Sequence, residues 1–67
     1  MIEITVNGIA RTVPPDLTLP QLLSVLGLEN QPLIIEHNHT ALLKNEWSSI
    51  RIAEADEIEF IRVVAGG

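Results

Sequence analysis

At 67 residues the chain has room for a single domain, so one domain is expected rather than a two-domain enzyme. It holds no cysteine, which removes disulfides, thiolate metal sites and thiol nucleophiles together and leaves the 46% of apolar residues to stabilise the fold. Nine acids against four bases give a formal net charge of −5, a balance that repels nucleic acid and anionic lipid and argues against both as partners.

Met1 to Val6 alternates, with Ile2, Ile4 and Val6 on one side and Glu3 and Thr5 on the other, which is the period of a half-buried strand. Asn7-Gly8 tolerates the positive φ angles of a tight hairpin turn, and Ile9 to Val13 supplies the returning strand. Two registers are open. A strict two-residue turn pairs Ile4 with Arg11 and sets Arg11 among apolar neighbours, whereas a G1 bulge or a longer loop moves it outward. Pro14-Pro15-Asp16 removes two amide donors and takes the chain off the sheet.

A helix follows. Thr18 is a good N-cap, Gln21 completes the spacing of a capping box, and Pro20 is tolerated in the first turn. Leu19, Leu22, Leu23 and Leu26 recur as one apolar stripe, and Gly27 fits the left-handed position that ends a helix, with Leu28 folding back on it. Leu33-Ile34-Ile35 begins a buried strand that gives way to Glu36-His37-Asn38-His39, with a turn at Asn38-His39. Ala41-Leu42-Leu43 reads as a short strand. Asn45 to Ser49 reads as a turn or a single helical turn that pins Trp47 against the edge of the core. After the polar bend Glu54-Ala55-Asp56, a long strand from Glu57 to Val64 closes the chain and, as the longest, is expected at the centre of the sheet. One helix across a mixed sheet of four to five strands is an α+β arrangement, and residues 1–67 read as one domain.

Side chains for catalysis are sparse. Glu3, Glu29, Glu54, Asp56, Glu57 and Glu59 fall at outward strand positions or in connections, where solvation predicts ordinary pKa values, so no catalytic pair is expected. His37 and His39 share a face only if the segment stays extended, and no third metal ligand accompanies them. Ser48-Ser49 has no positioned base. The informative feature is Val63-Val64-Ala65-Gly66-Gly67. Glycines without Cβ atoms pass a narrow channel, and a carboxylate on Gly67 becomes reactive once adenylated by an ATP-binding partner. Ala65-Gly66-Gly67 has nothing large to bury and is expected to be mobile.

Taken together, several stretches resemble the ThiS-type sulfur carriers of thiamin biosynthesis, proteins of the ubiquitin-like β-grasp fold. They are Ile4-Thr5-Val6-Asn7-Gly8, Thr18 with Leu22-Leu23, and Ile34-Ile35-Glu36 followed by Asn38. Glu46-Trp47, Asp56-Glu57-Ile58-Glu59 and the last five residues continue the likeness over nearly the whole chain. His39 and Ala55 depart from it, standing where the family often has glycine. The resemblance implies a protein co-substrate rather than an enzyme. The Gly67 carboxylate would be adenylated with Mg-ATP by a ThiF-type enzyme and converted to a thiocarboxylate. Sulfur would then pass to a ThiG-type thiazole synthase, with Ala65 and Gly66 recognised as the tail, a separate protein donating the sulfur, and no cofactor bound by the domain itself. A MoaD-type carrier for molybdopterin, a ubiquitin-like modifier and a plain interaction module are the alternatives.

Partner docking is expected on the last strand. If Ile58 and Phe60 are core, Ile61 and Val63 are the contact residues, ringed by Glu57 and Glu59, which would steer a basic partner. No segment approaches the roughly 18 apolar residues of a membrane span, and no basic stretch precedes an apolar run at the N-terminus, so a cytoplasmic location is expected.

Overall fold

The computed structural model describes residues 1–64. Strand β1 (Ile2–Val6) returns as β2 (Ile9–Val13), antiparallel, with Val6 opposite Ile9. Asn7 and Gly8 both take left-handed φ angles, 50° and 80°, giving a type I′ turn whose twist matches that of the strands. The strict register therefore forms, and Arg11 stands opposite Ile4. Arg11 nonetheless remains exposed, because β2 is an edge strand on which only Val13 is buried and the guanidinium reaches water beyond the margin of the sheet.

Helix α1 spans Leu19–Leu26 with both halves of its capping box present. Gln21 N–H donates to Thr18 Oγ1 at 3.4 Å, and Thr18 N–H donates to Gln21 Oε1 at 2.8 Å. Gly27 ends the helix at φ 73°, and Leu28 N–H donates to the Leu23 carbonyl at 2.8 Å, which turns Leu28 back onto the core. An eight-residue helix is too short to persist alone, so α1 depends on burying Leu19, Leu22 and Leu23 against the sheet.

Strand β3 (Leu33–His37) pairs antiparallel with β4 (Thr40–Leu42) through a second turn of left-handed residues, Asn38 at φ 49° and His39 at φ 70°. Pairing resumes at Thr40, opposite His37, so β4 lies one residue earlier than its apolar pattern predicts. A 3-10 helix, Lys44–Ser49, follows, its entry tied by Leu43 N–H donating to Glu46 Oε1 at 2.8 Å. It delivers Trp47 into the core, where the indole Nε1 has no partner among the described residues and packing alone holds the ring.

Strand β5 (Glu57–Arg62) is central, as its length and apolarity predict. It runs parallel to β1 and antiparallel to β3, in the sheet order β2-β1-β5-β3-β4. It ends two residues short of Val64. Val63 N–H still donates to the Pro32 carbonyl at 2.8 Å, but proline has no N–H to return, and the ladder stops there. The core of Ile4, Val6, Val13, Ile35, Ile58 and Phe60 from the sheet meets Leu19, Leu22, Leu23, Trp47 and Ile52 on the helix side. No helix among the described residues is long and apolar enough to cross a membrane.

Candidate functional site: the open sheet face and the strand leading to the C-terminus

The helix covers one face of the sheet and leaves the other to solvent. Strand alternation therefore decides which side chains are presented. On β5, Ile58 and Phe60 are buried at 1% and 8% exposure, while Ile61 is 46% exposed, with Glu57 and Glu59 exposed beside it. Val63, one residue past β5, is 45% exposed. The four expected contact residues thus lie on or next to the open side of the central strand, immediately before the residues leading to Gly67. Ala65, Gly66 and Gly67, the expected recognition and modification positions, lie outside the described residues.

The β3–β5 register adds two residues that the sequence reading did not assign to this face. Ile34 stands opposite Ile61 and Glu36 opposite Glu59. Leu33-Ile34-Ile35 reads as a continuously buried run, yet Ile35 is fully buried while Ile34 is 46% exposed, because only one side of β3 meets the helix. The continuously apolar run hid the alternation of β3, and nothing local marked its alignment against β5.

Asp56 corrects the expectation of a solvated acid with an ordinary pKa. It is the one buried charged residue among those described, and its carboxylate binds three donors or donor-capable groups. His37 Nε2 lies 2.8 Å from Oδ2, Ala53 N–H donates to Oδ2 at 2.9 Å, and Asn38 Nδ2 donates to Oδ1 at 3.2 Å. Burial pushes the Asp56 pKa up, but the His37, Ala53 and Asn38 hydrogen bonds together with the His37 charge outweigh it and hold the carboxyl below its usual value. Asn38 Oδ1 also accepts Glu57 N–H at 2.8 Å, so the cluster clamps the β3–β4 turn to the start of β5. Its chemistry is structural, since it lies beneath the strand entry rather than in a cleft.

The His37-Asn38-His39 segment does not converge on a metal site. Left-handed backbone at Asn38 and His39 breaks the extended alternation that would align the two imidazoles. His37 faces Asp56, and His39 Nε2 instead lies 3.5 Å from Glu57 Oε1 on the exposed rim. Among the described residues no group of three His, Cys, Asp or Glu side chains is placed to hold a metal ion.

Another residue serves β5 from the far side. Asn7, read from the sequence only as a turn former, accepts Phe60 N–H on its Oδ1 at 2.8 Å, while its own N–H donates to the Ile58 carbonyl at 2.9 Å. Its side chain thereby continues the β1–β5 ladder where the backbone of β1 has already turned away, and it steadies the strand that carries the exposed Ile61.

Comparison with known proteins agrees with this architecture. A protein of Trieres chinensis, described only as uncharacterized protein ycf40, is 29% identical over 62 residues, covering 92% of this chain and 85% of that one. The crystal structure of the thiamine biosynthesis protein ThiS from Geobacter metallireducens superimposes with a TM-score of 0.86 at 28% identity, covering 98% of this chain and all of that one. The mixed five-stranded sheet with one helix is thus the ubiquitin-like β-grasp fold. The profile of the ThiS family matches residues 4–67, from the middle of β1 through the diglycine, and the chain belongs to that family.

Proposed function

We propose that the protein is a sulfur carrier for thiamin thiazole synthesis, acting as a protein co-substrate, with residues 1–67 as one carrier domain. The observation that carries this reading is the family match that extends through Gly66 and Gly67, on a chain that holds no cysteine to bear sulfur on a side chain. In this reading a Gly67 carboxylate oxygen attacks the α-phosphorus of Mg-ATP in a ThiF-type partner and pyrophosphate leaves. Sulfide supplied by a donor protein then attacks the Gly67 acyl carbon and displaces AMP, and loss of its proton leaves a thiocarboxylate. A ThiG-type thiazole synthase takes the sulfur.

The carrier supplies no reacting side chain. ATP and magnesium belong to the activating partner, Gly66 and Gly67 let the tail enter a narrow channel where Ala65 and Gly66 are recognised, and the surface of Ile61, Val63, Glu57 and Glu59 meets the partner. These steps take place in the cytoplasm.

The test is mass spectrometry of the protein isolated from its own cells. Trypsin cuts after Arg62 and releases Val63 to Gly67. Exchange of oxygen for sulfur adds about 16 Da, nearly the increment of oxidising Met1, so the shift must map to this terminal peptide and disappear on hydrolysis. An unmodified peptide from thiamin-starved cells that contain the activating enzyme and a sulfur donor overturns the carrier reading. Isopeptide conjugates to lysines of other proteins point instead to a modifier.

A further inference from the structure

The open sheet face is segregated by charge as well as by polarity. Its strand positions carry Glu3, Glu36, Glu57 and Glu59 around the facing pair Ile34 and Ile61, and no lysine or arginine. The bases lie elsewhere. Arg62 Nη2 donates to Gln31 Oε1 at 2.7 Å, Arg51 Nη1 donates to the Asp16 carbonyl at 2.9 Å, Arg11 shares the helix side with Ile4, and Lys44 belongs to the 3-10 helix.

Within this face Glu36 and Glu59 stand directly opposite each other on neighbouring strands. Facing residues on an antiparallel pair have Cβ atoms about 4.5–5.5 Å apart, and like charges there are destabilising. No base among the described residues forms an ion pair with either carboxylate. A second copy of this chain would bring the same acids against themselves, and anionic lipid is repelled in the same way. The complementary occupant is a cationic protein surface.

We propose that the open face around Ile34 and Ile61 docks a partner surface presenting an apolar side chain beside an arginine, whose guanidinium is shared by the Glu36 and Glu59 carboxylates. Arginine suits this site better than lysine, because its planar fork offers several donors to two acceptors at once, whereas an ammonium is a point charge. Ile34 and Ile61 supply the apolar contact next to it, and partner binding relieves the Glu36–Glu59 repulsion. Glu36 and Glu59 thus act as one receptor rather than as two independent charges. The inference deepens the carrier reading and rests on it, since the probe is the ATP-dependent activating enzyme.

The experiment uses the full chain with the purified adenylating enzyme of its own organism, measuring carrier-dependent exchange of pyrophosphate into ATP alongside the dissociation constant at two salt concentrations. Glu36→Gln and Glu59→Gln are each expected to weaken binding about tenfold, and the double variant little more than either single one, because both act on one arginine. Glu29→Gln, which removes an exposed acid off this face, leaves binding unchanged. Both glutamine variants should melt at or above the wild-type temperature, which separates lost docking from lost folding. Exchange with the wild type but equal binding by the glutamine variants, or strictly additive effects, overturns the shared-arginine receptor and leaves the carrier reading standing. No exchange with the wild type overturns the carrier reading, and this inference with it. A dimer in sedimentation that Ile34→Asp dissolves overturns the assignment of the face to a cationic partner.

Discussion

Ala55 is the only residue other than Asn, Asp, His or Gly that carries a left-handed φ among those described, 71°. It occupies the third position of a turn closed by Asp56 N–H donating to the Ala53 carbonyl at 3.1 Å, a place where positive φ normally selects glycine. Left-handed backbone costs an L-residue roughly 1–2 kcal/mol, partly offset in a glycine variant by its greater unfolded-state entropy. Ala55→Gly is therefore expected to raise stability by about 0.5–1 kcal/mol in urea denaturation. The departures at His39 and Ala55 from the family's usual glycines are thus departures at left-handed positions, met by local strain rather than by a different turn. Asp56, the next residue, makes stability depend on pH. Its folded pKa lies below the unfolded value, so the stabilisation is complete above about pH 4 and is lost as pH falls through the lower folded pKa. Asp56→Asn should cost about 1.5–3 kcal/mol at pH 7, and the gap from wild type should narrow in denaturation curves recorded below about pH 4.

At the scale of elements, the central strand is tied at its start and in its middle by side chains from turns. Asn38 and Asp56 hold its start, and Asn7 receives the amide of Phe60 in its middle. Asn7→Gly keeps the turn, since glycine accepts the same φ, but leaves the Phe60 N–H without its acceptor. The expected loss is about 1–2 kcal/mol, with faster amide exchange confined to Phe60 and its neighbours as the local signature. The positions of the two tight turns, the capping box and the Gly27 stop were legible because each depends on a short run of residues whose backbone preferences act locally, whereas β4 begins one residue earlier than its apolar pattern predicts. The roles of Asn7 and Asp56 were not. Their partners lie 53 and 19 residues away in sequence, at Phe60 and His37, and only the closed sheet brings them together.

For the whole molecule, the consequence is a body with one covered face and one open, acidic face centred on the strand that leads to the diglycine. Ile61→Asp adds a charge at a half-exposed position, so unfolding should shift by no more than about 1 kcal/mol, while binding to the activating enzyme should weaken at least about tenfold. Unchanged affinity would remove Ile61 from the docking surface. By itself the sequence determined the order of strands and helix, the two tight turns and the position of the helix. These follow from side-chain period, capping and turn preferences, which operate over a few neighbours. The tertiary structure alone decided that Arg11 escapes at an edge, that Asp56 is buried and bonded, and that Ile34 and Glu36 stand opposite Ile61 and Glu59. Those outcomes depend on strand order and register, which are set when distant segments pack around a common core and are not encoded in any local stretch of the chain.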